Sequence, residues 1–251
     1  MEVINLRYQI TLFGGYDEII PNSENMKFFI ENFSSKGLIP NQVPELFINI
    51  GSKDTSPKTN LRLNLTDPER KWDIKFNSDK IEITFLNSNI GVVKEISKED
   101  FVSEVVDFLG ELNKKFSKSH KRIGFVSQYL FDYSDTSEYA KLFLNSIEFF
   151  SNKQISNWSG QTSTRMSLNC NDSQSEVVNV SSEIRTIKQP MNMNNSVSLF
   201  NGIVLNIDIN TLSENSSYRF EIENMKSIFD EMSKIESTIS DQIIQKFKQN
   251  E

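Results

Sequence analysis

Short stretches of alternating apolar and polar residues follow one another along this chain, and this succession limits its fold more than any other feature. The first, residues 3–12, carries Ile4, Leu6, Tyr8, Ile10 and Leu12, and the period of two predicts a half-buried strand with these side chains on one face. Strands that follow one another directly favour antiparallel pairing, because parallel strands need a long crossover between them. The sequence therefore predicts an α+β fold with mostly antiparallel sheets, arranged as a meander.

Eight further strands and four helices are predicted from the same kind of periodicity. Four strands come in one run, marked by Leu46, Ile48 and Ile50, by Leu61, Leu63 and Leu65, by Trp72, Ile74 and Phe76, and by Ile81, Ile83 and Phe85. The later strands are expected around 122–131, 161–170, 176–188 and 202–209, with a polar loop over 192–196. Helices are expected near 23–35, after the capping signal at Ser97, near 137–150 and over about 222–248.

The length of 251 residues fits one large domain or two small ones. The two-domain interpretation divides the chain into an N-terminal α+β lobe (1–118) and a C-terminal α+β lobe (119–251). A single domain is the alternative, since no stretch rich in Pro or Gly separates the halves. The N-terminal residues lack the apolar stretch of a signal peptide, and no membrane span is predicted, so we expect a cytoplasmic protein.

The sequence predicts no catalytic residues, no cofactor and no metal site. With one Cys and one His, the chain can form neither an internal disulfide nor a multi-histidine metal centre. Phosphate-binding and dinucleotide-binding glycine patterns are absent as well. We interpret His120 as an exposed histidine in a basic loop and Cys170 as a buried small apolar residue.

One pattern supports an alternative function as a metal-dependent nuclease. Asp73 and Lys75 flank Ile74 on a predicted strand, and Asp54 or Asp67 could supply a second carboxylate. Nucleases of the restriction type hold Mg²⁺ with such carboxylates, while the lysine stabilises charge on the phosphate. The same tripeptide is also what the wet face of an ordinary amphipathic strand shows, as is the Asn206, Asp208, Asn210 series.

A basic segment is the first of two predicted contact surfaces. It comprises Lys114, Lys115, Lys118, Lys121 and Arg122, in a chain whose net charge is −7. These cations could bind an acidic protein surface or a nucleic-acid backbone, which leaves a single-stranded nucleic-acid binder as a second alternative function. Cations that complement the dipole of a preceding helix are the structural alternative.

The last predicted helix is the second contact surface. Its apolar residues are Met225, Ile228, Met232, Ile235 and Ile239. A stripe with this spacing packs either on the chain's own sheet or on another chain, so a protein partner and a homo-oligomer formed through this helix are both predicted.

The chain also resembles a sporadically distributed family of uncharacterised bacterial proteins found in variable, defence-type genomic islands. The resemblance rests on Trp72–Phe76, the Asp79–Ile83 stretch, the Arg122-Ile123-Gly124 strand start and the late strand Gly202–Ile209. It implies a non-catalytic accessory role in defence against phage. Together with the absence of catalytic patterns, it predicts an interaction or regulatory subunit of a larger bacterial assembly.

Overall fold

Nine strands and three α-helices make up the part of the chain that the structure, a computed structural model, describes: residues 2–47, 58–87, 90, 96–132, 157–171 and 174–248. The strands are β1 (Glu2–Phe13), β2 (Ile39–Phe47), β3 (Lys58–Thr66), β4 (Trp72–Phe76), β5 (Lys80–Leu86), β6 (Arg122–Asp132), β7 (Ser159–Asn171), β8 (Gln174–Met193) and β9 (Ser196–Thr211). The helices are α1 (Ser23–Phe33), α2 (Lys98–Asn113) and α3 (Ile222–Lys248), and a 3-10 turn at Ser34–Lys36 follows α1.

All nine strands belong to one antiparallel sheet with the order β2-β3-β4-β5-β1-β6-β9-β8-β7. The predicted antiparallel meander is therefore confirmed, as one sheet. The prediction of four helices is wrong: the described residues hold three, and the stretch near 137–150, where another was expected, lies outside them. Strands from both predicted lobes share the sheet, because β1 pairs with β5 on one side and with β6 on the other.

A bulge in β1 corrects the expectation that its alternating residues share one face. The register against β6 shifts between Asn5 and Arg7, so that Leu6 is an extra residue in the ladder. Ile4 consequently packs on one face of the sheet, whereas Tyr8 and the residues after it pack on the other. An inserted residue reverses the side to which all following side chains point, which periodicity alone does not reveal.

The three helices pack on one face of the sheet and enclose the main core. Phe29 of α1 lies 5.1 Å from Phe76, Phe101 of α2 lies 5.4 Å from Tyr8, and Phe247 of α3 lies 5.2 Å from Phe131, measured between ring centroids. Aromatic rings at these distances bury large apolar areas, which explains how a phenylalanine-rich sequence fills the space under the helices.

The opposite face, which bears none of the described helices, is divided into an apolar and a polar part. A second cluster of buried side chains occupies one end, formed by Ile4, Leu6, Ile90, Leu130, Ile187, Phe200 and Val204. The polar part holds Arg7, Gln128, Asn206, Asp208 and Asn210, all partly buried. Polar side chains on this face agree with the sequence, which alternates here as a half-buried strand does.

Local sequence signals explain how α1 and α2 begin and where β8 turns into β9. The Ser97 hydroxyl accepts a hydrogen bond from the Asp100 N–H at 3.0 Å, which confirms the predicted cap of α2. Asn22 caps α1 in the same way. Asn194 and Asn195 both have positive φ, so a two-residue turn replaces the expected loop over 192–196, and the strands continue to Met193 and from Ser196.

Strand β2 also departs from its predicted position. The Leu46, Ile48, Ile50 series predicts a strand over 46–50, but β2 runs from Ile39 to Phe47, and residues 48–50 lie outside the described chain. Pro40 and Pro44, which commonly end secondary structure, are accommodated because β2 is an edge strand, with no described strand on its outer side.

Replacing either of two glycines by alanine tests the packing, because the two substitutions should change the free energy of unfolding in opposite directions. A Cβ added at Gly202 would overlap the Phe131 carbonyl oxygen and the Phe200 ring, so Gly202→Ala should lower the free energy of unfolding by about 1–3 kcal/mol. Gly110 lies inside α2 with no atom within 4 Å of an added Cβ, so Gly110→Ala should raise it by about 0.5–1 kcal/mol. Urea unfolding of both variants measures the difference, and equal shifts would contradict this packing.

Candidate functional site

A buried charge network lies between α2, α3 and β6. The Glu236 carboxylate is fully buried, and its Oε1 accepts hydrogen bonds from the Ser127 and Tyr129 hydroxyls, each at 2.8 Å. Its Oε2 accepts from the Lys98 ammonium at 2.5 Å. Both carboxylate oxygens therefore have partners, which is what a buried charge needs in order to be tolerated.

The ammonium of Lys98 is equally well bonded. Besides Glu236, it donates to the Ser233 carbonyl oxygen at 3.1 Å and to the Ser237 hydroxyl. Lys98 thus ties the first turn of α2 to the middle of α3. Three donors and three acceptors leave the group no free hydrogen for a substrate, so the arrangement serves docking of the helices.

Burial and the neighbouring Glu236 charge raise the pKa of Tyr129, which keeps its hydroxyl a hydrogen-bond donor. Sequence reasoning missed this network because we did not assign Glu236 to the apolar stripe of α3. The spacing in the sequence was a signal: Glu236 and Ser240 follow Met232 of the apolar stripe at intervals of four, which places them on the same face of the helix. The structure buries all three.

A second buried polar pair joins the loop after β1 to the start of β6. The Tyr16 hydroxyl lies 2.5 Å from His120 Nδ1 and 3.3 Å from the Leu12 carbonyl oxygen. His120 is 1 % exposed, which corrects its interpretation as an exposed loop residue. Its backbone forms a bridge with Phe220, so the segment before α3 covers it.

Burial, with a smaller contribution from the Lys118 charge, lowers the pKa of His120 to about 4, so the ring is neutral at pH 7. The Nε2 atom is buried without a hydrogen-bond partner. The tautomer that satisfies every N–H and O–H donor has the proton on Nδ1, donated to Tyr16, while Tyr16 donates to Leu12. The bare Nε2 lone pair then costs less than an unpaired N–H would.

The cations of the predicted basic segment are each engaged within the chain. Lys114 pairs with Glu111 on its own helix, at 2.7 and 2.6 Å from the two carboxylate oxygens. Lys115 lies 3.0 Å from a carboxylate oxygen of Glu24, and Lys118 pairs with Glu18. Glu24 and Glu18, which belong to distant segments, thus pair with two of these cations, and those two pairs could not be inferred from the local sequence.

The two remaining cations contact aromatic rings. The Lys121 ammonium lies 4.7 Å from the centre of the Tyr218 ring, and the Arg122 guanidinium lies 4.7 Å from that of Phe13. Arg122 also donates to the Thr211 carbonyl oxygen at 3.1 Å, across β6 and β9. These contacts favour a structural role, and binding of an acidic partner by the segment stays a prediction.

The apolar stripe of α3 faces the chain's own sheet. Met225, Ile228 and Met232 are buried in the main core, and Ile235 and Ile239 are partly buried against it. Own-sheet packing, one of the two predicted outcomes, thus accounts for the stripe. A homo-oligomer through this helix stays a prediction.

The Asp73–Lys75 pair lies on β4 with its two charges joined. Lys75 Nζ is 2.9 Å from Asp73 Oδ2, while Asp73 Oδ1 is buried without a hydrogen-bond partner. Asp67 accepts a hydrogen bond from the Trp72 N–H at 2.7 Å, and Asp54 lies outside the described residues. Within the described ranges no group of three or more His, Cys, Asp or Glu side chains is arranged to hold a metal ion.

The Asn206, Asp208 and Asn210 side chains line the polar part of the helix-free face. Asn210 donates to Asp208, and Asn206 accepts from Gln128 at 2.6 Å. Burial raises the pKa of the Asp208 carboxyl above its usual value, and its bond with Asn210 opposes the shift. One carboxylate oxygen of Asp208 and the amide oxygen of Asn206 are therefore already hydrogen-bonded within the chain.

Cys170 is buried, as predicted, with 2 % of its surface exposed. Burial raises the pKa of its thiol to about 11, so the thiolate that a nucleophile needs is scarce at pH 7.

An exposed apolar patch lies on the β8–β9 hairpin, in the part that extends beyond its described pairing with β6 and β7. Arg185 of β8 is the last residue that pairs with β7, and Gly202 of β9 is the last that pairs with the described part of β6. We call residues 188–201 the distal arm. On it, Val197 and Leu199 are 76 % and 62 % exposed and point to the same side.

Comparison with models of protein families and with curated proteins finds no match to this chain. None of the described helices is long and apolar enough to cross a membrane.

The buried network predicts a large cost for removing one of its charges. Glu236→Ala leaves the Lys98 ammonium buried without its counter-charge, so the free energy of unfolding should fall by about 3–5 kcal/mol. In the double variant Lys98→Met/Glu236→Leu no charge of this pair remains buried, so its free energy of unfolding should fall by less than that of Glu236→Ala. Urea unfolding of these two variants and of the wild-type chain measures the losses. Lys226→Ala, which removes an exposed pair with Asp230, is the control whose free energy of unfolding should change little.

The buried histidine predicts a pH dependence of stability. The unfolded chain protonates a histidine near pH 6.5, whereas His120 in the folded chain stays neutral to about pH 4. The contribution of neutral His120 to the free energy of unfolding is therefore complete above about pH 6.5. It is lost as the pH falls towards 4, which lowers the free energy of unfolding by about 3 kcal/mol. His120→Gln should flatten the fall in unfolding free energy between pH 7 and pH 4, and parallel curves for the two proteins would refute the assignment.

Proposed function

We propose that this chain is a non-catalytic interaction or regulatory subunit of a larger bacterial assembly, in the cytoplasm. The observation that carries the proposal is the distal arm of β8–β9, which presents Val197 and Leu199 beyond its described pairing with β6 and β7, while Ile90 bridges Met193 of the same arm. Large apolar side chains exposed side by side mark surfaces that bind other proteins.

The geometry of the arm supports a protein partner. On the side of Val197 and Leu199, the opposing residues of β8 are Asn192 and Pro190, both exposed. On the other side, Met191 and Met193 pack against the second apolar cluster and hold the ribbon in place. One side of the arm thus packs on the second apolar cluster, and the other exposes the apolar side chains of Val197 and Leu199.

The chemistry of the described clusters supports a binding role over catalysis. Lys98, Glu236, Tyr129, Tyr16 and His120 are all buried or partly buried, and each is committed to partners within the chain. Such networks join secondary-structure elements and leave no group poised to contact a substrate.

Single-stranded nucleic-acid binding has less support. Stacking platforms for bases need exposed aromatic rings beside cations. None of the phenylalanines whose side chains the structure describes is exposed, and Tyr218, beside Lys121, is a single exposed ring rather than a row of rings on which successive bases could stack. Lys115 and Lys118 of the basic segment are paired with acids.

Antiphage defence is the setting that the family resemblance implies, and it belongs to the same proposal. The resemblance includes Gly202–Ile209, which pairs with β6 and directly follows the arm. A regulatory subunit in such a system acts by binding another protein. The same experiment, co-purification of a protein partner, therefore tests both the role of the arm and the role in defence.

The double variant Val197→Ser/Leu199→Ser tests the proposal. A tagged chain at native expression level should co-purify a stoichiometric protein partner, and the variant should lose it at least tenfold, because two apolar contacts of about 1.5–3 kcal/mol each disappear. Quantitative mass spectrometry of the purified material measures the loss, and thermal unfolding checks that the fold is retained.

Leu46→Ser/Leu61→Ser is the matched control. These side chains are 67 % and 54 % exposed on β2 and β3, at the far end of the sheet from the arm, and their loss should leave the partner bound. Retention of the partner by the arm variant would contradict the proposal, as would isolation of the wild-type chain without any partner.

A further inference from the structure

The two outer strands of the sheet differ in their protection against pairing with another chain. β2 carries Pro40 and Pro44, which lack the N–H that a neighbouring strand would need. β7 has no proline, and its residues 161–167 are exposed in an uninterrupted row. A long and nearly uncharged edge strand is a template for a further strand, so β7 is open to pairing in a way that β2 is not.

We propose that β7 pairs antiparallel with β7 of a second copy of this chain, about a two-fold axis at Ser163. Two copies of the nine-stranded sheet then form one continuous sheet, with the helices of both on the same side. This interface is separate from the distal arm and does not rest on the proposed function.

The shape of β7 is complementary to itself in this register. Gly160 and Met166 lie three residues on either side of Ser163, so each Met166 faces Gly160 of the other copy. Met166 is 41 % exposed, and a Cβ added at Gly160 would meet no atom within 4 Å. The open space beside Gly160 thus matches the flexible side chain that the other copy presents.

A groove next to Gly160 extends this match. Its volume is about 330 Å³, and its walls include Thr162, Ile184, Ile239 and Ile243. Gly160 pairs with Ile184, and Leu168, on the same side of β7 as Met166, belongs to the core under the helices. The methionine of the second copy therefore points towards α3 and into an apolar recess, which gives the paired strands side-chain contacts as well as backbone hydrogen bonds.

Charge does not oppose the pairing. Arg165 is the charged residue of the exposed row, and it already contacts Glu214 and Asn179, each at 3.0 Å. In the proposed register it faces Gln161 of the other copy, whose amide oxygen can accept a hydrogen bond. The two Arg165 side chains are four residues apart along the strand, about 13 Å, which is beyond the screening length of about 8 Å at physiological salt.

A single engineered cysteine tests the register. Directly opposed residues of antiparallel strands have Cβ atoms about 4.5–5.5 Å apart, so Ser163→Cys should form an intermolecular disulfide on mild oxidation. Ser167→Cys is the matched control, since eight residues of register, about 26 Å, separate it from its counterpart. The native Cys170 is buried and does not interfere. Non-reducing electrophoresis measures the linked fraction, and linkage through Ser167→Cys as readily as through Ser163→Cys would overturn the register.

The strength of association tests the contacts. Sedimentation equilibrium of the full chain should show a dimer, and Met166→Glu should raise its dissociation constant at least tenfold while Met166→Leu retains most of the affinity. Gly160→Leu should weaken the dimer similarly, because it fills the space that Met166 of the other copy occupies. Circular dichroism confirms that the variants fold. A monomeric wild-type chain at its solubility limit, or a dimer unaffected by Met166→Glu, would overturn the proposal.

Discussion

The position of β1 in the middle of the sheet is the constraint on which the rest of the structure depends. β1 pairs with β5 of the first run of strands and with β6 of the later elements, so a single strand joins two sequence-distant groups into one sheet. Its bulge at Leu6 then assigns Ile4 to the helix-free face and Tyr8 to the core under α2. One inserted residue thus provides apolar contacts on both faces of the sheet's centre.

Buried charge complements this apolar arrangement by fixing how the helices dock. Apolar contacts alone would let α2 and α3 slide along one another with little change in buried area, since such contacts are not directional. The Lys98–Glu236 pair, with Ser127 on β6, is satisfied in one relative position. A mismatch would leave a buried charge unpaired, so the network selects one arrangement of helices and sheet among several of similar apolar burial.

Periodicity indicated a strand at or near each of the nine positions, although β2 begins at Ile39 instead of Leu46 and β7 buries only Leu168 and Cys170 among its described side chains. It failed where a contact between distant residues decides the outcome. The bulge at Leu6 depends on the register with β6, and the burial of His120 depends on a bridge with Phe220, one hundred residues further along. For the contact surfaces, the sequence predicted the cations but not the Glu18 and Glu24 carboxylates that cover two of them.

The distribution of charge and apolar surface indicates what kind of recognition this fold can support. The chain carries a net charge of −7, and its basic segment is compensated from within, so long-range attraction of polyanions is weak. Exposed apolar side chains on the distal arm and the open backbone edge of β7 offer short-range contacts instead. Binding through such contacts depends on fit and responds little to salt. Because the arm and the β7 edge both belong to the adjoining strands β7, β8 and β9, one continuous part of the sheet presents both surfaces.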